Sequence, residues 1–182
     1  MFVNKSEIRK KILKIRKVKN SKNLIIDFRD IIRIIKKTKI SGKIIGGYYP
    51  YNYEIDVIEI LEKLEKFDFL ITLPKIKKNF QMDFFRWSVK DPLSINKYGI
   101  PEPVSSKNEY PDILLVPVVA YDKDLNRIGY GGGFYDRYIS KINKRKKTIK
   151  IGLAYSFQEV KKISMNKYDV KLDFIVTEKG FY

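Results

Sequence analysis

Arg127, Gly129, Gly131, Gly132, Gly133 and Asp136 lie together in the run RIGYGGGFYDRYI, residues 127–139. Glycine leaves backbone N–H groups open to a close ligand and reaches left-handed conformations that other residues avoid. A guanidinium beside such a loop offers paired hydrogen bonds to a phosphate. An aspartate one turn into a following helix offers a hard oxygen ligand to a magnesium ion that the phosphates share. The chemistry these residue types could do is the binding of nucleotide phosphates. The spacing is neither that of a Walker loop nor GxGxxG, and a tight strand-to-helix turn would use the same glycines, so the residues alone leave both readings open.

The inventory removes many other chemistries. The 182 residues include no histidine and no cysteine. Ser-His-Asp triads, histidine–metal sites, thiolate nucleophiles, disulfides, thiolate zinc sites and iron–sulfur clusters are excluded, and any metal must sit on oxygen ligands. A reducing compartment such as the cytoplasm is compatible. The N-terminal MFVNKSEIRKKILKIRK carries a charge every two or three residues and lacks the apolar stretch of a signal peptide. No apolar run approaches the roughly 18 residues of a membrane span. The expectation is a soluble cytoplasmic protein without a membrane partner.

Thirty-eight Lys and Arg against 21 Asp and Glu give a net charge of +17. Nucleic-acid binding is one reading of such a balance. An AT-rich coding bias is another, because lysine far outnumbers arginine, isoleucine is abundant, and alanine occurs only at Ala120 and Ala154. Either origin gives a field that concentrates anionic ligands such as nucleotides and polycarboxylates. The aromatic residues cluster in YYPYNY, DFFRW and GFYDRY and do not interleave with the basic runs, so nucleic acid is not the expected partner.

These residues need elements to position them. Ile8, Ile12 and Ile15 fall at helical spacing between Asn4 and Lys17. Leu24, Phe28, Ile31, Ile32 and Ile35 do the same between Lys22 and Lys39, with Gly42 just beyond. KIIGGYYP reads as a strand running into a loop, Glu54 to Phe67 as a helix, and FLITLPKI as a buried strand. MDFFRW is a further strand candidate. DILLVPVVAYD has the continuous apolar character of a central strand, FYDRYISKI is helical, and KIGLAYS and FIVTE close the series. Strands separated by helices predict a layered α/β/α fold with a largely parallel central sheet, formed by residues 1–182 as a single domain. The glycine loop then stands after a sheet strand and at a helix N-terminus, where ligand crevices form in open α/β folds and the helix dipole attracts anions.

RIGYGGGFYDRY, preceded by LLVPVVAYD, resembles the signature of the 5-formyltetrahydrofolate cyclo-ligase family. KSEIRKKIL, YYPYNYEID, LPKI with MDFFRW, YGIPEP, IGLAYSFQEV and YDVKLDFIVTE fall in the family's order along nearly the whole chain. The resemblance implies closure of 5-formyltetrahydrofolate to 5,10-methenyltetrahydrofolate, with ATP as co-substrate, magnesium as cofactor, and ADP and phosphate released. It implies phosphorylation of the formyl oxygen followed by attack of N10, a course that needs neither histidine nor cysteine. Phosphoryl transfer rests mainly on positioning and electrostatics. The implied enzyme is a monomer whose partners are its small-molecule substrates. A nucleic-acid-binding domain without catalysis and a folate-binding protein without turnover are the alternatives.

Position by position, the resemblance assigns ATP binding to Lys5, Arg9 and the segment Arg127, Gly129, Tyr130, Gly131, Gly132, Gly133, Phe134 and Tyr135. Arg127 and Tyr135 are its catalytic residues, and Asp136 and Asp169 its magnesium-associated acids. Tyr49, Glu54, Met82, Trp87 and Phe134 fall where the family binds folate, Glu54 on the amide and amino edge of the pterin. From spacing alone, Lys5 and Arg9 also suit a solvated helix face, Glu54 a first-turn acid, Asp169 an ordinary loop, and Tyr49, Met82 and Trp87 the core. Phe134 stands where many members have tyrosine, Tyr168 where histidine is common, and Asn126 where a turn glycine is usual. Asparagine tolerates the left-handed conformation that such a turn expects.

Overall fold

A computed structural model of the chain describes residues 4–19 and 24–182. Helix α1 (Lys5–Lys19) buries Ile8, Ile12 and Arg16, residues four apart that share one face. The predicted stripe had Ile15 in the last place, and the arginine takes it instead. Helix α2 spans Phe28–Thr38. The predicted start at Lys22 lies outside the described residues, and residues 24–27 are not helical. Asp27 begins the helix by accepting a hydrogen bond from the Arg29 N–H at 2.8 Å.

Strand β1 (Ile44–Gly46) leads to helix α3, which runs Ile58–Lys66 and does not begin at Glu54. Asn52 and Tyr53 take φ of 50° and 59° in a tight turn, and Asp56 accepts from the Ile58 N–H at 2.9 Å. Glu54 is therefore placed by a turn and not by a helix. Strands β2 (Leu70–Ile76), β3 (Met82–Arg86), β4 (Leu93–Ile95), β5 (Pro101–Pro103) and β6 (Asn108–Glu109) follow. The long apolar run divides into β7 (Ile113–Pro117) and β8 (Ala120–Tyr121), and β8 pairs with β9 (Arg127–Ile128) as a hairpin. Helix α4 (Phe134–Ile142), β10 (Ile149–Leu153), β11 (Phe174–Thr177) and β12 (Gly180–Phe181) complete the chain.

The main sheet has the order β12-β11-β10-β7-β1-β2-β3-β6. Its five central strands, β11, β10, β7, β1 and β2, run parallel; β12 and β3 run opposite to them, and β6 pairs antiparallel with β3 at the edge. The chain leaves β1 toward β2 and later returns to β1's other side with β7, so the direction of winding reverses between β1 and β7. Alternation along each strand divides the core. Ile113 and Leu115 face the layer of α2 and α3, while Leu114 and Val116 face α4. This is the expected α/β/α layering. Helix α1 covers the β8/β9 hairpin through Ile8 and Ile12 packed with Val119, Ala120 and Ile128.

Candidate active site

A cavity of about 1050 Å³ opens at the carboxyl ends of the central strands. Tyr48 and Tyr49 enter it just beyond β1, Pro74 and Ile76 from β2, and Pro117 from the end of β7. This is the crevice that a reversal of winding produces in an open parallel sheet.

One half of the cavity suits an anion. The loop from Gly129 to Gly133 and the first turn of α4 line it. Gly131 and Gly133 take φ of 102° and 65°, a region that disfavours side chains; Gly129 and Gly132 do not adopt it. Gly133 occupies the N-cap, and no side chain caps α4, so the dipole end of this helix has no protein acceptor from a capping residue. Helix α1 brings two cations to the same place. The Arg9 Nε donates to the Gly129 carbonyl at 2.8 Å, and Lys5 forms an ion pair with Asp169. Arg127 is 6% exposed; its Nη2 donates to Asp136 at 2.8 Å, and its Nε is buried without a partner. Burial pushes its pKa down, against the pull of Asp136. The Tyr135 hydroxyl is likewise buried without a partner, and burial pushes its pKa up, so it remains a proton donor.

Asp136 and Asp169 lie against each other's segments, since the Val170 N–H donates to Asp136 Oδ1 at 3.2 Å. Among the described residues no three acids, histidines or cysteines cluster to hold an ion by themselves. Two aspartates suffice for magnesium when phosphates and water supply the remaining oxygens. Asp136 hydrogen-bonds through Oδ1 and Asp169 through Oδ2, which leaves a second oxygen of each carboxylate for such an ion. The donor set fits.

The other half is aromatic. Phe134 lies 6.0 Å from Phe80 and 6.5 Å from Tyr98 between ring centroids, and Tyr49 and Met82 line the same space. At its base Glu54, 9% exposed, accepts from the Tyr51 N–H at 2.9 Å. Burial raises its pKa from the usual 4.5 to about 7, opposed by that hydrogen bond and by Arg16. The carboxylate thus has an acceptor oxygen that desolvation makes costly to leave without a donor.

Of the residues assigned from sequence, all but Trp87 line this cavity. Trp87 follows β3 with the side-chain parity opposite to Met82 and Phe84, so it packs into the α2/α3 core, its Nε1 donating to the Asp91 carbonyl at 3.3 Å. Asn126 does not take the left-handed turn position. Leu125 does, at φ 63°, while Asn126 is tied to Asp122 by two hydrogen bonds of 3.0 Å. Arg16, on the buried face of α1 beside Ile12, does not line the cavity itself, and its residue type gave no signal of burial. Sequence reasoning missed Phe80 and Tyr98, which line the cavity and which no periodicity marks.

The sequence profile described as the 5-formyltetrahydrofolate cyclo-ligase family matches residues 2–178. A 5-formyltetrahydrofolate cyclo-ligase of Haemophilus influenzae is 36% identical over 139 residues, covering 72% of this chain and 73% of its own. A 5,10-methenyltetrahydrofolate synthetase structure from Aquifex aeolicus superposes with a TM-score of 0.74 at 30% identity, covering 97% of this chain and 91% of that one. One from Mycoplasma pneumoniae does so with 0.71 at 26%, covering 97% and 99%.

Proposed function

The chain belongs to the 5-formyltetrahydrofolate cyclo-ligase family, and on that premise we propose that it couples the closure of 5-formyltetrahydrofolate to 5,10-methenyltetrahydrofolate to the cleavage of ATP inside this one cavity. The observation that carries the reading is the union of an anion cradle with an aromatic compartment based on a buried acid. In this reading Lys5, Arg9 and the loop N–H groups bind the phosphates, and the folate ring lies among Tyr49, Met82 and Phe134 with its N–H donors on ionised Glu54. The formyl oxygen attacks the γ-phosphorus and ADP leaves; N10 then adds to the activated carbon, loses its proton, and phosphate departs as the ring closes. Arg127 and the Tyr135 hydroxyl, buried beside the loop with unused donors, stabilise the phosphate charge. Asp136 and Asp169 would hold magnesium, which would supply neutralisation of the phosphate charge there. Trp87 is left out of this binding set, because it lies in the core and does not line the cavity.

The same reading takes the enzyme as a cytoplasmic monomer. No helix among the described residues is long and apolar enough to cross a membrane. The test is to mix purified protein with 5-formyltetrahydrofolate, ATP and magnesium and follow the absorbance of the methenyl product. Product that stops forming when ATP or magnesium is withheld supports the proposal. A folded protein that binds both substrates without turnover contradicts it.

A further inference from the structure

Arg16 is an unusual side chain to find inside α1's packing face. It is 2% exposed and makes no ion pair among the described residues. Its Nε is buried without a partner, and its Nη1 reaches the Val118 carbonyl at 3.3 Å. A buried guanidinium so placed is costly beside an apolar side chain of similar volume, so packing alone does not account for it. Its Nη2 donates to the hydroxyl of Tyr130 on the glycine loop, and the guanidinium carbon lies 5.6 Å from that ring's centroid.

From Tyr130 the contacts continue. Its hydroxyl donates to the Tyr51 carbonyl at 3.3 Å, and the two rings meet edge to face at 5.8 Å. The Tyr51 N–H in turn donates to Glu54 Oε2. One chain of polar contacts therefore leads from α1 through the nucleotide-side loop to the turn that carries the folate-side acid. We propose that Arg16 is a positioning residue which, through Tyr130, locks the glycine loop to the Glu54 turn, so that occupation of the loop by nucleotide and recognition of the folate ring are energetically coupled. The inference rests on Glu54 being the folate acid. The charge of Arg16 supports it, since it favours the ionised form of Glu54.

The test is a double-mutant cycle with Arg16→Lys and Tyr130→Phe, read as KM for 5-formyltetrahydrofolate at saturating ATP. Folate binding is measured alongside, with and without a non-hydrolysable ATP analogue. Each single variant should raise the folate KM roughly tenfold, as expected when one hydrogen bond to a charged group is lost, and the double variant should be no worse than the poorer single one. In wild type the analogue should tighten folate binding, and both variants should lose that tightening. Multiplying effects in the double variant, or tightening that survives in Tyr130→Phe, overturns the proposal. If Arg16→Lys does not fold, the Tyr130→Phe binding experiment decides by itself, since Tyr130 is 38% exposed on the loop. A wild-type folate KM in Glu54→Gln would defeat the assignment of Glu54, a failure distinct from additivity in the cycle.

Discussion

Replacing Glu54 by glutamine should remove a pH dependence from the stability of the fold. The carboxyl is 9% exposed, and burial lifts its pKa from 4.5 to about 7 against the opposing effects of the Tyr51 N–H and Arg16. Between those values the folded state binds the proton and the unfolded state does not, so stability falls as pH rises. Below the unfolded value both states are protonated and the penalty vanishes; above the folded value it is complete. At about 1.36 kcal/mol per pH unit the full penalty is roughly 3 kcal/mol. The other groups that bear on Glu54 are the Tyr48, Tyr130 and Tyr135 hydroxyls, all held protonated by burial, and the Arg16 guanidinium. The three hydroxyls, pushed up by burial, stay protonated between pH 5 and 8. Urea unfolding of wild type and Glu54→Gln across that range measures the effect. The variant should gain on wild type up to about pH 7 and then level off, the full difference being about 3 kcal/mol. Parallel curves would refute the reasoning. The same ionisation should appear in catalysis, with wild-type kcat/KM rising through an inflection near 7 that Glu54→Gln lacks.

Arg127→Ala should raise the KM for ATP ten- to hundredfold, the loss of a charged hydrogen bond of about 1.5–3 kcal/mol; unchanged ATP kinetics would remove its role. Asp136→Asn and Asp169→Asn should each raise the magnesium concentration needed for half-maximal rate more than they alter the folate KM, as magnesium titrations will show. Asp136→Asn should also lower stability, because it takes the counter-charge from buried Arg127. Gly133→Ala should cost about 1–2 kcal/mol in denaturant unfolding, since φ at this N-cap is 65°.

The parts of the fold that a sequence displays are those governed by local chemistry. Helix α4 could be read from FYDRYISKI because helical spacing begins directly after the glycines, and β7 from its unbroken apolar run, which central position in a parallel sheet explains. Strands β4, β5, β6, β8, β9 and β12 have two or three residues each, too few to show a period, and tertiary closure determines their pairing. The start of α3 was hidden by left-handed Asn52 and Tyr53; asparagine tolerates that conformation, but tyrosine does not announce it as glycine would. Within the site, the glycine loop declared itself by composition. Trp87 did not declare its face, because which parity of β3 looks toward the cavity depends on the sheet. Arg16 was legible as a helix position but not as a buried one, since its type reads as solvent-facing.

The claim that nucleotide and folate act together in one cavity is tested most directly by the stoichiometry of a single turnover. Enzyme, ATP, magnesium and 5-formyltetrahydrofolate are mixed rapidly and quenched, and ADP and the methenyl product are counted at each time. The cavity account predicts that they appear in equal amounts and that ADP production is negligible without folate. Methenyl product formed without ATP, or ADP released at the same rate whether or not folate is present, would contradict it.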